Sequence, residues 1–134
     1  MKTITAVIEY AGDNYSAYVE GFDGIAASGA TLDEIKGNLS GTVEAYIEAC
    51  RDLGCELPED LSGEYEITFR MDVKSFLGLY TGIFTKSGLE RLTGINQKQL
   101  WHYAQGLSTP RRAQVQRIEQ ALHQLGKELI AIHL

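Results

Sequence analysis

The sequence predicts an α+β protein in which a small sheet with one long helix precedes a group of short helices. Polar and apolar side chains alternate in four runs within residues 1–71, and one amphipathic stretch interrupts them, in the order β-β-β-α-β. From residue 72, apolar residues recur at helical spacing in segments separated by Gly and Pro. At 134 residues the chain can hold two small domains, and the predicted ones are 1–71 and 72–134.

Three strands are predicted before the long helix: residues 3–10, 15–20 and 25–28. Ile4, Ala6, Ile8 and Tyr10 share one face of the first strand, and the turn residues that follow indicate a hairpin with the second. Residues 64–71 alternate in the same way and predict a fourth strand after the helix.

The long helix is predicted from Thr31 to a stop at Gly54. Thr31 and Glu34 have the spacing of a capping box, in which the hydroxyl accepts from a backbone N–H and the carboxylate reaches back. Apolar residues then recur with the period of one buried face. That predicted face is Leu32, Ile35, Leu39, Val43, Tyr46, Ile47, Cys50 and Leu53.

Four helices are predicted in the C-terminal domain, over about residues 73–80, 86–93, 96–105 and 110–125. Leu89 and Leu92 are expected to be buried in the second. Asn96 and Gln99 have capping-box spacing at the start of the third. For the fourth, Thr109 is expected as the cap, Pro110 as the first residue and Gly126 as the end.

Charge is unevenly distributed along the chain. The net charge of −6 by itself argues against nucleic-acid binding, but it is the sum of an acidic region and a basic region. Residues 1–69 hold three basic and fourteen acidic side chains, whereas residues 70–134 hold nine basic and four acidic ones. The net charges of −11 and +5 suggest two modules with different partners.

Other features narrow the functional classes. No apolar run approaches the roughly 20 residues that cross a bilayer, and the N-terminus lacks the apolar block of a signal peptide, so no membrane contact and a cytoplasmic location are expected. Cys50 and Cys55 fit no metal-ligand spacing and are expected to be reduced. No metal, cofactor or catalytic residue is expected.

Two short helices joined by a Gly turn are the helix-turn-helix signature. Leu100 and Tyr103 are predicted to face the core with Ile95 and Leu107. That leaves outside a set of amide, cationic and aromatic side chains, namely Gln97, Lys98, Trp101, His102 and Gln105. Gln and Lys can read base edges, so this face predicts DNA binding. The alternative is a merely solvated helix face, and Trp101 could instead cover the core or lie in a protein interface.

Thr109, Arg111 and Arg112 come at the start of the last helix, where backbone N–H groups and guanidiniums can bind phosphate. Residues 87–122 resemble the helix-turn-helix of phage-repressor-type regulators. The matching positions are Gly94, Ile95, Asn96, Gln97, Gly106 and Pro110. Such domains usually bind palindromic operator DNA as dimers. A homodimer or higher homo-oligomer is therefore expected, with the apolar tail 129–134 (a strand or an extra helical turn) as its candidate contact.

The N-terminal domain contains many carboxylates, and an RNase-H-type nuclease would need several to converge on metal ions. Most fall in predicted turns or on the exposed helix face, and the domain has no histidine, so a solvated acidic surface is the better interpretation. A third possibility is a stand-alone helix-turn-helix regulator whose N-terminal domain senses a ligand or a partner.

Residues 21–48 resemble the N-terminal domain of HicB-family antitoxins, with Gly29, Thr31 and Glu34 at the family's helix start. The resemblance implies a partial RNase-H-like fold without nuclease activity. It further implies that this domain neutralises a small basic HicA-type toxin, an mRNA-cleaving ribonuclease, by direct binding. The helix-turn-helix would repress the operon of the two proteins through its operator.

Overall fold

Four strands and five α-helices make up the chain, which a computed structural model describes over residues 1–134. The strands are β1 (Lys2–Tyr10), β2 (Tyr15–Val19), β3 (Ala26–Gly29) and β4 (Tyr65–Met71). The helices are α1 (Leu32–Leu53), α2 (Val73–Leu79), α3 (Lys86–Thr93), α4 (Gln97–Gln105) and α5 (Arg112–Ala131). The protein is therefore α+β, as predicted. Its internal contacts form two compact units, Met1–Ser75 and Phe76–Leu134, and the boundary between them along the chain falls within α2.

The sheet of the first unit is mixed, with the strand order β3-β2-β1-β4. β1 pairs antiparallel with β2 and parallel with β4, and β2 pairs antiparallel with β3. The predicted inner face of β1 is confirmed for Ile4, Ala6 and Ile8, which are buried. The alternating apolar residues of β4 pack against the same core. A chain that alternates with period two buries one face of its sheet in this way.

Helix α1 covers that core. The Thr31 hydroxyl accepts from the backbone N–H of Glu34 at 3.1 Å, but the Glu34 carboxylate forms no return bond, so only half of the capping box is present. Gly54 ends the helix in the left-handed conformation, with φ of +73°. The residues of α1 that are buried are Ile35, Leu39, Val43, Ile47 and Cys50.

The predicted apolar stripe of α1 was too wide. Tyr46 is exposed and Leu53, the last helical residue, is 79% exposed. Because the sheet covers only one side of α1, apolar positions at the margin of the stripe and at the helix end remain in solvent.

The core of the second unit draws on α3, α4, α5 and the turn between α3 and α4. Its buried apolar residues include Leu89, Ile95, Leu100, Tyr103 and Ile118. Two residues that were predicted to be buried in this core are not fully buried. Leu92 is only half-buried, and Leu107 is 66% exposed. Leu107 follows Gly106, whose φ of +74° turns the chain away from the path of α4.

Both predicted ends of the last helix are wrong. Helix α5 begins at Arg112, and its N-cap is Arg111 rather than Thr109, so Pro110 lies outside the helix. Gly126 lies inside α5, which continues to Ala131. A helical glycine costs only about 1 kcal/mol relative to alanine, and the helix-forming residues on both sides of Gly126 outweigh that cost. Residues 129–131 of the tail thus extend the helix, residues 132–134 lie beyond its end, and the tail contains no strand.

The start of α4 also differs from the prediction. Asn96 is the N-cap, but its side-chain oxygen accepts from the Lys98 N–H at 2.7 Å, two residues on. The Gln99 side chain does not return to the cap. It donates to the Ser108 hydroxyl at 3.0 Å, which ties the loop after α4 to that helix.

None of the helices is both long enough and apolar enough to cross a membrane.

Candidate nucleic-acid interface

A three-residue turn at 94–96 joins α3 to α4. Gly94 has φ of +75°, a conformation that favours glycine, and its N–H donates to the Glu90 carbonyl at 2.7 Å. The buried Thr93 hydroxyl donates to the Leu89 carbonyl at 2.7 Å and accepts from the Ile95 N–H at 3.1 Å. Thr93 therefore satisfies two buried backbone groups at once and fixes the path of the turn. Sequence reasoning missed this role, because a threonine at a helix end is common.

Helix α4 has two distinct sides. Leu100 and Tyr103 are buried in the core of the unit. At about 100° per residue, Gln97, Lys98, Trp101 and Gln105 fall within an arc of about 100° on the other side, and all four are exposed. His102 lies at the margin of this arc and is half-buried. The structure therefore brings the five predicted α4 residues together on one surface, called here the α4 face (Gln97, Lys98, Trp101, His102 and Gln105).

The first residue of the α4 face is held in place by α3. The Gln97 amide nitrogen donates to the Glu90 carboxylate at 3.2 Å. The amide keeps its carbonyl oxygen and its second N–H for other partners. Glu90 was not predicted as part of the site, since it lies in α3, on the other side of the turn from Gln97. Lys98 has no ion-pair partner, so its charge faces solvent.

Trp101 is not a core residue. Its side chain is 48% exposed, and its ring lies against the His102 ring with centroids 5.6 Å apart and planes inclined at 58°. The pair adds a flat, partly apolar area to the α4 face.

The start of α5 contributes positive charge. Thr109, Arg111 and Arg112 are all exposed, and no acidic residue occupies the first turn. No side chain caps the helix, whose first turn therefore presents backbone N–H groups and the positive end of the helix dipole. Two guanidiniums beside such a terminus leave positive charge uncompensated, and an anion is the natural counterpart.

One guanidinium of α5 has a structural role that the sequence did not reveal. Arg117 donates from Nη2 to the Gly94 carbonyl at 3.4 Å. A Cβ on residue 94 would lie 2.7 Å from the same nitrogen, so the absence of a side chain there makes room for the contact. Arg117 thereby ties α5 to the turn between α3 and α4. The two residues are 23 positions apart, a separation that no local pattern reports.

The first unit has a different electrostatic character. Met1–Ser75 carries fifteen acidic and five basic side chains, whereas Phe76–Leu134 carries three acidic and seven basic ones. Carboxylates that lie in the turns after β1 and β2 or on α1 are exposed, namely Asp13, Asp23, Asp33, Glu34, Glu44 and Glu48. No group of three or more His, Cys, Asp or Glu side chains is arranged to hold a metal ion.

A surface depression runs between α1 and β4. Glu44, Glu48 and Arg51 line it together with Ile47 and Tyr65. It combines two carboxylates and one guanidinium with apolar side chains.

Comparison of the chain with protein-family models, with curated proteins and with solved structures finds no match.

Proposed function

We propose that this protein is a HicB-like antitoxin that neutralises a small basic toxin and represses its own operon. In this proposal, α3, the turn and α4 act as a helix-turn-helix that binds operator DNA, and Met1–Ser75 is a partial RNase-H-like domain that binds the toxin without catalysing a reaction. The observation that carries the proposal is the α4 face, which gathers amide, cationic and aromatic side chains on the exposed side of a short helix beside a tight turn.

The α4 face has the chemistry to read bases in the major groove. Gln97 retains a donor and an acceptor, the pair that recognises adenine, and Lys98 can donate to guanine. Both lie in the first turn of α4, where a recognition helix makes its base contacts. Trp101 offers apolar surface to a thymine methyl group, while His102 and Gln105 extend the polar contact along the groove.

The start of α5 is proposed to bind the phosphate backbone. Thr109, Arg111 and Arg112 supply a hydroxyl and two guanidiniums next to the uncapped helix terminus. Contacts of this kind set the position of a protein on DNA but carry no sequence information. Base reading by α4 and phosphate binding by α5 should therefore respond differently to mutation.

The acidic first unit is proposed to bind the toxin. Its net charge of −10 attracts a basic protein and accelerates their encounter, more strongly at low salt. The depression lined by Glu44 and Glu48 is the proposed contact, because it pairs carboxylates with apolar area. The resemblance of residues 21–48 to HicB antitoxins supports the same partner.

A homodimer is proposed because helix-turn-helix proteins usually read the two halves of a palindrome with two subunits. The end of α5 offers a contact of suitable character. Leu129, Ile130, Ile132 and Leu134 are all exposed, with Ile130 at 81%. Apolar side chains concentrated at one helix end are the kind of surface that a second subunit buries.

The DNA-binding proposal is tested with full-length protein by selecting duplexes from a random library and measuring affinities by fluorescence anisotropy. Lys98→Ala should relax preference at one base position, at a cost of about 1–3 kcal/mol there, and His102→Ala should also change the preference. Arg111→Ala should weaken all sequences similarly and reduce the salt slope by about 1. Lys127→Ala, exposed in the last part of α5, is the matched charge control. Unchanged affinity and preference in all three variants would contradict DNA reading by α4.

The toxin proposal is tested by co-purification with the product of the neighbouring reading frame. A small basic protein that arrests growth alone, and is rescued by this chain, is the expected result. Reversing Glu44 and Glu48 to Lys should weaken the complex, whereas Glu128→Lys in α5 should not. Sequence-specific DNA binding without any toxin partner would instead support a stand-alone regulator.

A further inference from the structure

Two cysteines meet at the C-terminal end of α1. Cys50 lies in the last turn of the helix and is 8% exposed, and Cys55 follows the helix and is exposed. Both are free thiols. Neither contributes to the α4 face or to the toxin-binding proposal, and sequence spacing gave them no metal-binding role.

The helix end brings the two residues together. Gly54 adopts the left-handed conformation, and the Cys55 N–H reaches back to the Cys50 carbonyl at 2.9 Å. This six-to-one bond is the mark of a Schellman motif, in which the side chains of its first and last residues usually touch. Here those two residues are Cys50 and Cys55.

The hydrogen bond also limits the distance between the two Cα atoms. Standard bond lengths add less than about 4 Å to the 2.9 Å between nitrogen and oxygen, so the Cα atoms lie no more than about 6.8 Å apart. A disulfide spans about 4.4–6.8 Å between Cα atoms. The separation of the two Cα atoms is therefore within the range that a disulfide spans.

We propose that Cys50 and Cys55 form an oxidation site, at which hydrogen peroxide converts the two thiols into an intramolecular disulfide at the end of α1. The exposed Cys55 sulfur attacks the peroxide, the O–O bond breaks, and a sulfenic acid and water result. The Cys50 sulfur then attacks the Cys55 sulfur, loses its proton to solvent and releases a second water. One peroxide is reduced and two thiols are oxidised, so atoms and electrons balance.

The environments of the two thiols fit this order of events. Burial shields Cys50 from solvent oxidants and raises the pKa of its thiol, and the neighbouring Cys55 thiol adds to that increase. Cys50 is thus the group that resolves the sulfenic acid, while the accessible Cys55 meets the oxidant first. Because the resolving step consumes the Cys50 thiolate, disulfide formation should accelerate as the pH rises.

The chain itself supplies a direct assay. Trypsin cleaves after Lys36, Arg51 and Arg70, so Cys50 and Cys55 fall on the adjacent peptides 37–51 and 52–70. Full-length protein is treated with stoichiometric hydrogen peroxide, blocked with an alkylating agent, digested and analysed by mass spectrometry. The expected result is a linked pair of peptides that separates on reduction. The intact chain should have lost two hydrogen atoms and should not be covalently linked to a second chain.

Variants separate this site from incidental oxidation. Cys55→Ser should leave Cys50 as a thiol, and Cys50→Ser should leave Cys55 to accumulate sulfenic and sulfinic acid. Gly54→Ala, which strains the left-handed helix end, should slow linkage by about tenfold, whereas Gly63→Ala, which has open space and no such strain, should not. Sulfinic acid at Cys55 without linked peptides, linkage only between two chains, or an unchanged linkage rate in the Gly54→Ala variant would overturn the proposal.

Discussion

Substitution of glycine by alanine is expected to lower the stability of the protein at Gly29, where β3 contacts α1, and to raise it at Gly41, in the middle of α1. Gly29 ends β3, and a Cβ there would lie 2.8 Å from the backbone nitrogen of Ile35 and 3.1 Å from its Cα. Rotation of a side chain cannot relieve contacts with main-chain atoms. Overpacking of this kind costs about 1–3 kcal/mol. Each kcal/mol lowers the melting temperature of a unit of this size by roughly 4–8 °C. We therefore expect Gly29→Ala to lower the Tm by at least about 4 °C.

Gly41 provides the matched control. It is exposed in the middle of α1, and an added Cβ there meets no heavy atom within 4 Å. Alanine is favoured over glycine in a helix by about 0.8–1.0 kcal/mol, so Gly41→Ala should raise the Tm. Differential scanning calorimetry of the full-length variants measures both shifts. If Gly29→Ala melts at or above the parent, or if both variants lose stability equally, close packing at Gly29 is not the reason for glycine there.

Three further outcomes are expected. Thr93→Val should destabilise the chain by about 1–3 kcal/mol in urea denaturation, because it leaves the buried Ile95 N–H without its acceptor, while Thr93→Ser should not; equal losses would refute this. Gly126→Ala should add about 1 kcal/mol to α5, and a lower Tm would contradict its placement inside the helix. Deleting residues 129–134 should give monomers by light scattering, and an unchanged mass would exclude the tail as the dimer contact.

Local signals in the sequence identified most elements of the fold. Thr31 and Gly54 predicted the ends of α1, and strict alternation predicted the inner faces of β1 and β4. These features depend on residues within a few positions of one another. The same reasoning failed at Thr109, after which α5 begins only at Arg112, and at Gly126, where the helix-forming residues on both sides outweighed a local signal for a helix end.

The candidate site was predicted in part for a related reason. Helical periodicity alone placed the residues of the α4 face on one side, because their spacing within a single helix fixes their directions. It could not reveal Glu90, which holds Gln97, or Arg117, which reaches the Gly94 carbonyl. Those contacts join different elements, and no pattern in one sequence records which side chains meet across a turn.

By itself, the sequence determined the α+β class, the order of the elements, the division of charge and the exposed side of α4, since each follows from composition or from short-range spacing. Only the tertiary structure decided the strand order β3-β2-β1-β4, the contact of Glu90 with Gln97 and the contact of Arg117 with the Gly94 carbonyl. The physical reason is that pairing and packing minimise the free energy of the whole chain, so a local preference worth about 1 kcal/mol can be overruled by contacts that form only on folding.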